Sequence, residues 1–335
     1  VVVARSHAVT RENVDADTLR TIYRHMLRSR VLDERMWVLN RQGRAPFWIS
    51  GIGHEAIQVA VGMNMEPGRD WLAPYYRDLA LTLVLGMTPR DHILSVLAKA
   101  DDPNSGGRQM PAHYGSRAHN IISTGSPVTT QLLHAAGIAL AMKMRGEDSV
   151  CVTALGEGST SGGDFHEALN FAATHKLAVV FVVENNGYAI SVPVEKQMAT
   201  PNVADRALAY GIPGVSVDGN DVIACYRTAR DAVQRARSGL GPTLLEAKLH
   251  RLTSHSSDDD QRRYRTADDL AAERARDCLP HFRSMLEDLG ILAPGDADRL
   301  RLDLVAEVDE ATAFAEQAAD PLAESAPLHV YAEDD

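Results

Sequence analysis

The stretch from Leu155 to Ile190 reads LGEGSTSGGDFHEALNFAATHKLAVVFVVENNGYAI, and its order of residue types decides the fold. A short apolar segment, Ser149–Leu155, runs into Gly156-Glu157-Gly158. Helical spacing follows over Ser159–His175. A second apolar segment, Ala178–Val183, rich in β-branched residues, then ends at Asn185-Asn186-Gly187-Tyr188. Strand, turn, helix and strand in that order predict a βαβ unit with parallel strands. Working outward, the apolar segments Gly214–Val217 and Thr243–Leu249 alternate with the helical ones Pro127–Arg145 and Asp221–Ser238. The fold expected over residues 70–250 is therefore α/β, a doubly wound parallel sheet covered by helices on both faces.

On the N-terminal side, Leu19, Ile22, Tyr23, Met26 and Leu27 fall at helical spacing, so a long amphipathic helix opens the fold. After residue 265 helical spacing returns, and Gly290 and Pro294 separate two helices before the acidic end Glu333-Asp334-Asp335. The expected organisation is an α/β domain over 1–265 with a helical N-terminal region, and a helical appendage with an acidic tail over 266–335. The Gly- and Pro-rich stretch Asp101–Ser116 reads as a loop.

A chain of 335 residues with 45% hydrophobic content can bury a sizeable core. Its formal charge of -11, without long Lys or Arg runs, argues against nucleic acid and acidic membranes as partners. The longest strongly apolar run, Leu177–Val183, is far too short to span a bilayer, and Val1–Val3 lacks the basic start and apolar region of a signal peptide. Cys151, Cys225 and Cys278 lie far apart and form no CxxC pair, which suits a reducing compartment. The cytoplasm is expected, or an organelle matrix in a eukaryote.

Ligands of parallel sheets bind at the carboxyl ends of strands. Here one strand runs into Glu157 and the next into Asn186, so the two side chains are expected to face one crevice. Gly156 and Gly158 let the backbone come close to a ligand, and the helix after them offers free N–H groups to an anion. A carboxylate beside a diphosphate requires a cation between them. Magnesium fits, because it takes a few protein oxygens and shares the rest with phosphates. Two other readings of these residues remain open. Gly156-x-Gly158-x-x-Ser161 approaches a dinucleotide fingerprint, with Glu184 as the ribose-binding acid of a nicotinamide-dependent oxidoreductase. Alternatively, the Gly and Asn residues simply form turns.

The pattern resembles the thiamine diphosphate signature, Gly-Asp-Gly followed by Asn-Asn: 26 residues, Ser159–Glu184, separate Gly158 from Asn185. The departure is Glu157, where most such proteins carry Asp and the branched-chain enzymes carry Glu. From about residue 15 to 270 the chain resembles the alpha subunits of the thiamine-diphosphate-dependent decarboxylating component of 2-oxo acid dehydrogenase complexes, in particular the branched-chain type. The resemblance implies that Glu157, Asn186 and the Tyr188 carbonyl hold magnesium, with Gly156, Gly158 and Ser159 against the cofactor. It implies that Tyr76 and Arg77, in Tyr75-Tyr76-Arg77-Asp78, clamp the diphosphate; read by itself, Arg77 serves equally as one arm of a surface ion pair with Asp78 or another acid. It also implies that Ser126 and Val128, in Gly125–Gln131, meet the aminopyrimidine, a segment that holds potassium in some members. Ser126 before Pro127 reads equally well as a helix N-cap. Phe47, in Phe47–Ala56, is placed beside the substrate. His255, in the loop His250–Arg265, matches a functional histidine that contacts the cofactor; its ring titrates near neutrality and suits proton donation. Ser256 stands where some eukaryotic relatives are phosphorylated.

The implied activity is oxidative decarboxylation of a 2-oxo acid such as 2-oxoisovalerate, with acyl transfer to a lipoyl group. The implied assembly has two alpha and two beta subunits and a lipoyl-bearing acyltransferase core. A pyruvate or acetoin dehydrogenase alpha subunit and a non-catalytic cofactor-binding subunit are the alternatives. His166-Glu167 opens a zinc-protease motif, but position 170 is Asn. His113 and His119 lack a cysteine partner at metal-ligand spacing. Asp258–Asp260 lacks the spacing of a calcium loop and reads as a solvated cluster facing Arg262, Arg263 or Arg265.

Overall fold

A computed structural model describes residues 2–3, 14–328 and 330–331; Val1 and the acidic end Glu333-Asp334-Asp335 lie outside the described residues. In chain order the helices are α1 (Ala16–Arg41), α2 (Glu55–Gly62), α3 (Leu79–Val84), α4 (Pro89–Val96) and α5 (Thr130–Arg145). They continue as α6 (Gly163–Thr174), α7 (Val222–Arg237), α8 (Ala267–Arg274), α9 (Cys278–Asp288) and α10 (Asp296–Gln317). The strands are β1 (Val2–Val3), β2 (Trp71–Ala73), β3 (Cys151–Gly156), β4 (Val179–Asn185), β5 (Tyr188–Ala189), β6 (Val192–Pro193), β7 (Gly214–Asp218) and β8 (Thr243–Lys248).

The main sheet has the order β1-β7-β8-β4-β3-β2, with every pair parallel, and β5 and β6 form a small antiparallel hairpin. Side chains alternate across a strand, so each central strand feeds two cores. Val150, Val152 and Ala154 with Val180 and Val182 pack in a cluster with α1, α2 and α7, whereas Cys151, Leu155, Val179, Phe181 and Val183 pack with α5 and α6. All seven residues of β4 are buried, as a strand covered on both faces requires.

The N-terminal helix starts where Asp15 accepts from the amides of Asp17 and Thr18 at 3.0 and 2.9 Å, satisfying two orphan donors. Phe282, Leu286, Leu304 and Val308 of the C-terminal helices belong to the same buried cluster as Leu19, Ile22 and Met26 of α1. Among the described residues three α-helices follow residue 265 rather than the two expected. The extra break falls at Asp277, which caps α9 through the Leu279 amide and receives two hydrogen bonds from Arg30. Nothing in the local spacing marks an N-cap whose carboxylate is also recruited by an arginine on a distant helix.

Two helix starts also differ from expectation, and both matter for the site. Residues Glu157–Ser161 form a 3-10 turn and α6 begins only at Gly163, so this turn, not the α-helix, lies next to Glu157. Thr129 adopts φ +80°, and α5 begins at Thr130; Ser126 does not cap it. All three cysteines are buried free thiols. Among the described residues no helix is long and apolar enough to cross a membrane.

Candidate active site

Register brings the sequence motifs together. Gly156 pairs with Glu184 across β3 and β4, so Glu157 and Asn186 both emerge just past adjacent strand ends. They share a cavity of about 370 Å³ with Tyr76, Arg77, Ser126 and Val128, and also with Gly156, Gly158, Ser159, Tyr188 and His255. Tyr75, Ala189 and Ile190 line it as well. Phe47, half-buried, is not among the lining residues. A second concavity, lined by Asp15, Leu19, Arg20, Ile223, Arg227 and Ile291, contains none of these groups.

Glu157 is 2% exposed. Its Oε2 accepts from the Asn186 amide at 3.2 Å and its Oε1 from Gln197 Nε2 at 3.3 Å, both long bonds from neutral donors. Burial raises its pKa above the ordinary carboxylate value, with the hydrogen bonds and Arg251 opposing. The two asparagines divide their work. Asn185 donates to Glu246 Oε1 of β8 at 2.7 Å and is structural, whereas Asn186 accepts from the Tyr188 amide at 3.2 Å and borders the cavity. Gly158 is required by its neighbours: a Cβ there would lie 2.5 Å from that of Ala189, so the glycine admits the β5 hairpin beside the cavity it lines.

Arg77 is 1% exposed, which removes the surface ion pair with Asp78 from consideration. Its Nε donates to Tyr75 Oη at 3.2 Å, Nη1 donates to the Ser50 carbonyl, and Nη2 reaches the His255 carbonyl at 3.3 Å and Nδ1 at 3.4 Å. None of these partners is a carboxylate. The Tyr76 ring lies 5.4 Å from the guanidinium carbon and edge-on to His255.

His255 is held by its loop: its amide donates to Asp259 Oδ2 at 2.8 Å, Tyr264 Oη donates to the same oxygen at 2.5 Å, and Arg251 donates to Tyr264 Oη at 2.8 Å. Gly53 permits this loop to close, because at φ +98° an added Cβ would meet the His250 carbonyl at 2.0 Å. Of the acidic run only Asp260 pairs with one of the three arginines, Arg262; Arg265 instead pairs with Glu273. Ser256 is buried.

The ring does not titrate near neutrality as the residue type suggests. Burial, then Arg77 and Arg251, lower the His255 pKa to about 4. The folded value lies below the ordinary 6.5, so this group's stability contribution is complete above about pH 6.5 and is lost as pH falls toward 4. NMR of the cofactor-free chain is expected to show His255 ring shifts that stay flat between pH 6 and 8; a midpoint inside that window would contradict this environment.

Ser126 is exposed, and its Oγ lies 2.7 Å from His113 Nε2. The His113 Nδ1–H is committed to the Met110 carbonyl at 2.8 Å, so Nε2 is the acceptor. Val128, 45% exposed, stands at the mouth. His166 is an exposed helix residue bonded to Tyr210. The ribose-acid reading of Glu184 fails: the residue is 1% exposed, with Oε2 engaged by His54 Nδ1 at 2.5 Å and Gln58 Nε2 at 3.1 Å. Gln197 and Gln58 escaped sequence reasoning, since an isolated Gln carries no spacing signal.

The fold and site define an α/β protein that gathers a buried arginine, a buried carboxylate and a strand-end amide in one cavity at the carboxyl ends of its parallel strands. The family profile described as Dehydrogenase E1 component matches residues 23–324, and the chain belongs to that family. It is similar to the 2-oxoisovalerate dehydrogenase subunit alpha of Bacillus subtilis, 48% identical over 93% of this chain and 94% of that one. It is 42% identical to the 3-methyl-2-oxobutanoate dehydrogenase subunit alpha of Mycobacterium tuberculosis, over 82% of this chain and 72% of that one. The pyruvate dehydrogenase E1 component subunit alpha of Bacillus cereus is 38% identical over 90% of this chain and 79% of that protein.

Proposed function

We propose that the chain is the alpha subunit of a branched-chain 2-oxo acid dehydrogenase, binding thiamine diphosphate through magnesium and acting with a beta subunit. One observation carries this reading. A single cavity holds a buried guanidinium with no carboxylate partner and a buried carboxylate with no cationic partner within ion-pair reach. A diphosphate compensates the first and a divalent cation the second.

The donor set fits. Glu157 and Asn186 present hard oxygens, as magnesium prefers, and the Tyr188 carbonyl is the third oxygen assigned. The segment assigned to potassium in some members is Gly125–Gln131. When bound, thiamine diphosphate supplies the carbanion that attacks a 2-oxo acid and the electron sink that lets carbon dioxide leave. The protein's part is position and proton control. Arg77, with Tyr76 beside it, fixes phosphate oxygens through a planar donor fork. The exposed mouth residues Ser126 and Val128 face the aminopyrimidine. His255 offers a hydrogen bond to the reacting group and a proton route for acyl transfer to a lipoyl arm on an acyltransferase core.

Arg77→Ala is expected to raise the cofactor concentration for half-maximal activity by about 1.5–3 kcal/mol, the worth of charge-assisted hydrogen bonds. Unchanged half-saturation would remove Arg77 from the diphosphate site. The names of the Bacillus subtilis and Mycobacterium tuberculosis relatives support branched substrates. The decisive assay reconstitutes the chain with a beta partner and compares 2-oxoisovalerate with pyruvate. An added methylene in an apolar pocket is worth only about 1–3 kcal/mol, so a graded preference for the branched acid is expected. Far faster decarboxylation of pyruvate would reassign the substrate, and no restored turnover with any beta partner would favour a non-catalytic subunit.

A further inference from the structure

Gln58 lies on α2, 1% exposed, and is not itself among the residues that line the cavity. Its side-chain amide nevertheless joins three segments. Oε1 accepts from the Ala80 amide at 3.0 Å, and Nε2 donates to the Arg77 carbonyl at 2.9 Å and to Glu184 Oε2 at 3.1 Å. The amide has one workable orientation. Flipped, it would set its NH₂ against the Ala80 N–H and its oxygen against a carbonyl and a carboxylate, losing every bond. The turn carrying Arg77 is thus gripped on both sides of Leu79, while the Gly51 Cα packs so closely that an added Cβ would lie 3.0 Å from the same Arg77 carbonyl.

We infer that Gln58 is the positioning residue for the Arg77 guanidinium, fixing its turn and keeping the Glu184 carboxylate engaged elsewhere, so that the arginine stays free for a phosphate anion. The inference rests on the reading of Arg77 as a diphosphate ligand. Arg77 makes only neutral contacts, to Ser50, Tyr75 and His255, although two buried acids stand behind it. Neither acid pairs with it: Asp78 Oδ2 accepts from the Tyr75 amide at 2.8 Å while its Oδ1 has no partner, and Glu184 Oε2 is held by His54 and Gln58. Removing the Gln58 amide loosens the turn and frees a lone pair of the acid nearest to competing with phosphate. Both effects weaken the site from behind its lining.

The test is calorimetric titration of thiamine diphosphate with magnesium into the alpha–beta assembly carrying Gln58→Met, which keeps the volume, or Gln58→Glu, which keeps the acceptor for Ala80 and opposes acceptors to Arg77 and Glu184. The expected result is a Kd raised tenfold or more in each. In an Arg77→Ala background the same changes should have no further effect, since a positioning residue acts only through what it positions. A merely structural role would lower the melting temperature and leave that coupling at zero. A folded Gln58→Met or Gln58→Glu assembly with Kd within twofold of the parent overturns the inference, as does an equal loss with Arg77 absent. If Gln58→Met does not assemble, Gln58→Glu decides. Unchanged affinity in Arg77→Ala alone would instead defeat the diphosphate reading, and the inference with it.

Discussion

Replacing Glu157 with Ala, or Asn186 with Ala, is expected to abolish magnesium-dependent binding of thiamine diphosphate. The effect should be large because the site has little redundancy. Glu157 is the carboxylate of the cavity, buried, with two long hydrogen bonds from neutral groups as its compensation. A buried carboxylate so weakly compensated is costly unless a cation meets it. Deleting it should relieve that cost, so the cofactor-free variant should melt no lower than the parent, provided the vacated space is tolerated. Asn186→Ala differs, since it also frees the Tyr188 amide that its Oδ1 accepts from at 3.2 Å and loosens the β5 hairpin. Both variants should lose the heat of cofactor binding seen with magnesium in the parent. Unchanged affinity in the two would refute the metal assignment.

The second large effect concerns His255. His255→Ala should leave cofactor affinity nearly unchanged and reduce turnover roughly 100-fold or more, the range of a positioned acid–base group. The geometry sharpens this. The ring contacts Arg77 and stands edge-on to Tyr76 in the cavity, while its main chain is secured independently through Asp259 and Tyr264. Truncating the ring therefore leaves the loop anchored. The loss should be greatest for acyl transfer to a lipoyl domain, where a proton must reach the opening dithiolane, and smaller with an artificial electron acceptor. Normal turnover in both assays, with circular dichroism showing a folded variant, would return His255 to an ordinary loop.

The βαβ core and the pairing of Glu157 with Asn186 were legible in the sequence because both are local. A covered parallel strand needs a continuous apolar run, and strand ends are where polar residues interrupt it; β3, β4, β7 and β8 lie where the apolar segments stand. The motif residues Tyr76, Arg77, Ser126, Val128 and His255 were also readable as motifs. Their shared cavity depends on strand order and register, which no local pattern encodes. Tertiary structure alone decided the environments. It turned Arg77 from a candidate surface ion pair into a buried cation without a carboxylate, moved Phe47 off the cavity lining, and took Ser126 from helix cap to partner of His113. It also held His255 neutral, committed Glu184 to His54 and Gln58, and made a clamp of an unremarked glutamine. Desolvation and hydrogen-bond commitment are sums over neighbours brought from distant parts of the chain. Residue type specifies what a group can do, and only those neighbours determine which of its protons and lone pairs remain free to do it.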